Sequence, residues 1–178
     1  MATKFKKERT ELKFSKSIIN RNILLPIKVI GKDISVVIEK YLKSNFEGKC
    51  IIEGYVKQNS IKYINSSSGV VNGSNILLNV IFECEIYYPV ANMKINCIVK
   101  NVTKAGIKGE SATESPSPFI VFIARDHQYN IPYFQELKEG DVFNAKVIGQ
   151  RFELNDTFIS IIAEVIVPKE LRKPKLLI

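Results

Sequence analysis

The clearest hydrophobic pattern in the chain runs through residues 76–88. Ile76, Leu78, Val80, Phe82, Cys84, Ile86 and Tyr88 share one face, whereas Asn79, Glu83 and Glu85 lie on the other. A period of two marks a half-buried strand, and it makes Cys84 a core residue. Pro89 cannot donate to a strand ladder, so it ends or kinks the strand, and Val90-Ala91-Asn92 reads as a hinge between two halves. Upstream, a strand is expected around residues 23–30. From Asp33 the pattern changes: Ile34, Val37, Ile38, Tyr41 and Leu42 recur at helical spacing with Gly48 beyond them, which predicts an amphipathic helix. Ile34, Val36 and Ile38 would also alternate as a strand, but the Tyr41-Leu42 pair continues the helical stripe. Strands at 49–57 and 60–64 follow. A loop rich in Ser, Gly and Asn, Ser66 to Gly69 and Asn72 to Asn75, leads into the long strand.

Beyond the hinge the pattern predicts five strands, at residues 93–102, 107–110, 119–124, 141–152 and 157–167. A polar, Pro-containing loop over 111–118 precedes the third, and a short helix within 130–139 separates the third from the fourth. Five strands with one long connection between the third and fourth match a small Greek-key barrel of the OB type. The organisation read from the sequence is a basic arm (1–16), an α+β half (17–89), a barrel (90–168) and a basic tail (169–178).

Composition bounds the function. The 178 residues are 46% hydrophobic and carry a net charge of +8, so the chain can bury a core and attract polyanions, nucleic acid being the commonest. The same lysines could equally serve solubility. Lys4, Lys6, Lys7, Arg9, Lys13 and Lys16 make the arm a mobile terminus or an electrostatic tether. Cys50, Cys84 and Cys97 are an odd number without close spacing, which suggests neither a disulfide framework nor a zinc site and fits a reducing compartment. No apolar segment follows the N-terminal charges, and the run 119–124 is too short to span a bilayer, so a soluble, non-secreted chain is expected.

The run Pro89-Val90-Ala91-Asn92-Met93-Lys94-Ile95-Asn96-Cys97-Ile98-Val99-Lys100, continuing to Ala105-Gly106-Ile107, resembles the start of the ribosomal S-one type of RNA-binding OB domain. Leu137-Lys138-Glu139-Gly140-Asp141-Val142, Lys146-Val147-Ile148-Gly149 and Ile159-Ser160-Ile161-Ile162 resemble that domain's last two strands. Upstream, Phe46-Glu47-Gly48-Lys49-Cys50, Ile52-Glu53-Gly54-Tyr55-Val56 and the strand ending in Tyr88-Pro89 are similar to the N-terminal domain of the polymerase stalk subunit. That subunit is the seventh of eukaryotic RNA polymerase II, with archaeal and giant-virus relatives. Arg151-Phe152-Glu153-Leu154-Asn155-Asp156 looks most like the versions in large cytoplasmic DNA viruses. The resemblance implies an RNP-like N-terminal tip domain that docks on the polymerase core subunits and a barrel that contacts nascent RNA. It leaves room for a second stalk subunit as partner and implies no cofactor and no catalytic site. An intracellular location is implied, in the host cytoplasm or virion for a viral protein and otherwise the nucleus. Two departures stand out: Asn92-Met93 replaces the family's Gly after the proline, and Ala105 and Lys108 occupy positions where RNA-binding barrels place aromatics. Base stacking should therefore be weaker and phosphate attraction proportionally larger. A stand-alone single-stranded RNA-binding protein of translation or RNA decay is the alternative.

Binding single-stranded RNA needs cations for phosphates and flat side chains for bases. The residues expected to supply them are Lys100, Lys104, Lys108, Phe122, Arg125, His127, Lys146, Arg151 and Phe158. If Val121 and Ile123 point into the barrel, Phe122 points out; Ile159 and Ile161 likewise leave Phe158 outward. Both phenylalanines also fit packing against the N-terminal half or another subunit. Singly, each cation fits a solvated surface, and only the clustering supports binding. Arg125-Asp126-His127 holds the lone histidine, but no nucleophile elbow, phosphate loop or paired carboxylate accompanies it. Glu136, Glu139 and Asp141 belong to a solvated turn and show no metal pattern.

Overall fold

The computed structural model describes residues 12–168 apart from Ile30 and Lys32. Most of the basic N-terminal arm and the tail from residue 169 lie outside the described residues. Two compact units are present among the described residues, one formed by Lys13–Tyr88 with Phe152–Phe158, the other built on Pro89–Arg151 and residues 159–168. Strands predominate in both and helices are few, so an α+β description with a barrel fits.

In the first unit, β1 (Ser15–Pro26) pairs antiparallel with β6 (Asn75–Tyr87) over twelve residue pairs, from Ser15↔Ile86 to Pro26↔Asn75. The expected strand at 23–30 thus begins earlier. Its end is set by Pro26, after which Ile27–Val29 turn into a short 3-10 helix. The other edge of β6 is shared by three short partners: β3 (Gly54–Val56), β4 (Lys62–Ser66) and β5 (Val70–Asn72), with β2 (Cys50–Ile51) outside β3. The stretch expected as one strand at 49–57 is therefore a tight hairpin.

The predicted helix is α1 (Ile34–Phe46), begun by the Asp33 carbonyl, which accepts from the amides of Val36 at 3.2 Å and Val37 at 3.4 Å. It ends at Glu47, and Gly48 follows with φ +70, the left-handed conformation that glycine adopts at no steric cost after a helix. Ile38 and Leu42 on its inner face are fully buried against Val80 and Phe82 of β6 in one cluster with Ile19, Ile23 and Leu25 of β1. Phe46 stacks on Phe82 with ring centroids 5.8 Å apart. Cys84 is buried in the same cluster, as its place in the alternation required.

The second unit is a closed barrel of β7 (Lys94–Val102), β8 (Gly106–Ser111), β9 (Phe119–Ala124), β10 (Val142–Arg151) and β11 (Ile159–Ile166), in the order β10-β11-β9-β8-β7 with β10 also pairing β7. All pairings are antiparallel except β9 with β11. Irregularities between Val99 and Asn101 and between Val147 and Gly149 supply the local bending that closure needs. Inward residues fill the lumen, among them Cys97, Val99, Phe119, Val121, Ile123, Phe143, Ile159 and Ile161. The connection from β9 to β10 carries α2 (Pro132–Glu136), whose Phe134 is buried. Among the described residues no helix is long and apolar enough to cross a membrane.

Burial pushes the Cys50 thiol up to about 12, with Asp156 adding to the effect, and the Cys84 thiol up to about 11; Cys97 is raised by burial as well. All three are free. The folded chain therefore holds thiol protons that an unfolded chain releases above about pH 8.5. Two outcomes are expected. Folding stability should fall as pH rises from that value, read from denaturant midpoints. All three thiols should react with a disulfide reagent at pH 8 only as fast as the protein unfolds, and rapid reaction of any one would contradict the buried placement. In the first unit, Phe82→Ala should lower stability by about 3–5 kcal/mol, since the vacated volume lies between α1 and β6.

Candidate nucleic acid interface

The turn from β7 to β8 is fixed by its own side chains. Thr103 donates from its amide to the Gly106 carbonyl at 2.9 Å and from Oγ1 to the same oxygen at 2.9 Å; the Gly106 amide donates back to Thr103 Oγ1 at 3.2 Å. Arg125, one residue past β9, clamps the turn from the other side. Its amide donates to the Ala105 carbonyl at 2.9 Å and its Nη2 to the Thr103 carbonyl at 2.8 Å. The guanidinium carbon stands 5.8 Å from the Phe134 ring centroid, within cation–π range. An open depression of about 420 Å³ lies here, lined by Val102, Thr103, Lys104 and Arg125.

Phe122 projects outward from β9 and is 37% exposed, between inward Val121 and Ile123, which are fully buried. Its Cα partners are Lys108 on β8 and Ile162 on β11. At Gly106 the ring comes so close that an added Cβ would meet Phe122 Cζ at 3.0 Å and collide with the Ile123 carbonyl oxygen. A glycine is thus required by space, and its absence of a side chain lets the ring lie along the turn.

The structure accordingly gathers Lys104, Lys108, Phe122 and Arg125, with exposed His127 two residues beyond in the Arg125–His127 turn. Lys104 and Lys108 have no carboxylate partner among the described residues. The remaining expected residues stand elsewhere. Lys100 is ion-paired with Glu110 at 3.4 Å and Lys146 with Glu164 at 3.0 Å, so their charge is locally neutralised. Arg151 ends β10 opposite Ser160, a register step beyond the bulge. Phe158 is also 37% exposed but belongs to the 152–158 segment of the first unit, where the Asn155 amide donates to the Cys50 carbonyl at 2.9 Å and the Cys50 amide to the Asp156 carbonyl at 2.7 Å. Phe122 is consequently the one exposed aromatic on the barrel strands among the described residues.

Sequence reasoning missed Thr103, whose hydroxyl and backbone hold the turn, and Ile162, 56% exposed beside Phe122. Ile162 was visible as a break in alternation, because it follows inward Ile161 directly. Among the described residues no group of three or more His, Cys, Asp and Glu is placed to hold a metal ion.

No protein-family profile matches the sequence. A protein of Acanthamoeba polyphaga mimivirus that carries the provisional name DNA-directed RNA polymerase subunit is 26% identical over an alignment 176 positions long that covers 87% of this chain and 82% of the viral protein. The chain is similar over most of its length to a viral protein provisionally named as an RNA polymerase subunit. The similarity takes in both units, since so large a share of the chain cannot be contained in either alone, and the closed five-stranded barrel is OB-like.

Gly106→Ala should cost about 2 kcal/mol or more, because backbone rather than a flexible side chain blocks the new methyl. It should also displace Phe122, seen as a shift of the ring resonances in aromatic NMR spectra. An unchanged Phe122 environment would contradict the close approach.

Proposed function

We propose that the chain is a non-catalytic subunit of a DNA-directed RNA polymerase, with the sheet unit docking on the core enzyme and the barrel meeting nascent single-stranded RNA. The observation that carries this reading is the polymerase-subunit relative aligned across 87% of a chain that ends in an OB-like barrel with an unneutralised cationic edge. OB barrels combine a charged groove for the backbone with aromatic platforms for bases. Here Lys104, Lys108 and Arg125 supply positive charge around one exposed ring, Phe122. One platform supports weak, sequence-tolerant contact driven mainly by phosphate attraction, which suits a subunit that must let a growing transcript slide past. The loop and turn over 67–74, exposed throughout and rich in Ser, Gly and Asn, present small residues and backbone for docking, with Ile52 and Glu53 the exposed residues of the 48–56 segment, and the three buried thiols suit a reducing compartment.

The subunit assignment is tested by co-purification from the natural source. The chain should remain with the large catalytic subunits at salt concentrations that strip free RNA binders; loss at such salt would point to a stand-alone RNA-binding protein. The RNA contact is tested by fluorescence anisotropy of a short single-stranded RNA across a salt series. Lys104→Ala and Lys108→Ala should each lower the salt slope by about one unit, while Phe122→Ala should weaken binding by about 1–3 kcal/mol with little change in slope. Lys146→Ala and Lys100→Ala should change the slope less, because Glu164 and Glu110 already neutralise those cations. Equal effects at all four lysines would spread the interface around the barrel and remove the special status of the turn.

A further inference from the structure

The sheet order β1-β6-β3-β2 puts β1 at the margin, and among the described residues no strand pairs with its far side. The ladder itself tells which peptide groups face that side. The amide of Ile27, next after β1, donates to the Ser74 carbonyl at 3.0 Å, and the β1–β6 register runs unbroken up to it. In an antiparallel pair, N–H and C=O turn toward the partner at every second residue. Odd-numbered residues of β1 therefore address β6, and the even-numbered ones turn outward: Lys16, Ile18, Asn20, Asn22 and Leu24. Pro26, which has no amide hydrogen, also falls at an outward position, where the ladder loses nothing.

Open edges are usually blunted by short strands, lysines or prolines. β1 is twelve residues long, and only its ends carry such guards, Lys16 and Pro26. Between them Ile18 is 71% and Leu24 43% exposed. Arg21, in the middle, addresses β6 with its peptide groups; its Nη2 donates to Glu53 at 2.7 Å and its Nη1 to the outward Asn20 carbonyl at 3.0 Å, so at Asn20 the amide is the open group. Residues 13–28 contain Lys13, Lys16, Arg21 and Lys28 and no carboxylate.

We propose that the outer edge of β1 receives an extended segment of a partner protein, added as a further strand, with apolar residues along its middle and acidic residues at its two ends. Such strand addition takes its affinity from main-chain hydrogen bonds and its selectivity from alternate side chains. The peptide groups of Ile18, Asn20, Asn22 and Leu24 supply the ladder. Apolar side chains of the segment lie beside Ile18 and Leu24, and its carboxylates meet the lysines that bracket the strand. A second copy of this chain is a poor occupant, because it would set one cationic strand against another. The inference is independent of the RNA reading and of the polymerase assignment.

The test uses the full chain, isotope-labelled, with a blocked synthetic peptide of valines and threonines flanked at both ends by glutamates and its lysine-flanked counterpart. The glutamate peptide should slow hydrogen exchange at the amides of Ile18, Asn20, Asn22 and Leu24, and the lysine peptide should not. Asn20→Pro removes an outward donor while sparing the β1–β6 bonds, and should weaken peptide binding roughly tenfold where Asn20→Ala does not. The wild-type exchange pattern decides the matter by itself if the proline variant fails to fold. The proposal is overturned by absence of binding, by protection elsewhere on the chain, by protection of the same amides by a single-stranded oligonucleotide, or by a concentration-dependent dimer that protects them without peptide.

Discussion

Strand β6 must satisfy hydrogen-bonding groups on both of its edges along thirteen residues while burying only one of its faces. Every unpaired buried peptide group costs free energy comparable to a lost hydrogen bond, so the chain around β6 is arranged to supply partners. β1 answers one edge with a single unbroken ladder; β3, β4 and β5 answer the other piecemeal, each entering and leaving by a turn. The face that results, Leu78, Val80, Phe82, Cys84 and Ile86, is the floor on which α1 lies, and the helix contributes Ile38 and Leu42 in return. Helix, hairpins and sheet edge all follow from that one strand's requirement.

Much of this could be read from the sequence because period-two and helical patterns are local. The long strand, the helix at 34–46, the five barrel strands and the short helix before β10 stand close to where alternation put them. β1 was only half legible. It is buried on one face alone, and residues 15–22 mix Lys16, Asn20, Arg21 and Asn22 with four apolar or small positions, so its first half does not declare itself as a strand. The hairpin at 50–56 was hidden for a different reason: two strands of two and three residues are shorter than any periodicity can resolve.

The candidate site was legible by residue type and not by neighbourhood. Outward placement of Phe122 followed directly from Val121 and Ile123. That Lys100 and Lys146 face Glu110 and Glu164 could not be inferred, because cross-strand register joins residues that are far apart in sequence. Phe158 shows the same limit, since its place depends on a segment whose backbone is bonded to Cys50. The cations that survive as candidates are Lys104 and Arg125 at the turn held by Thr103 and Lys108 on β8 beside it, and this placement, more than total charge, selects them. A net charge of +8 spread over the chain says that polyanions are attracted; the pairing pattern says where that attraction is left unspent.

The margin of β1 that no strand covers among the described residues also bears on supply. An edge of this length, with isoleucine and leucine exposed between its end guards, is a template for any passing strand, including those of partly folded chains. With the proposed partner segment in place that template is occupied, so copies made in excess of the partner would be the ones most open to aggregation or degradation.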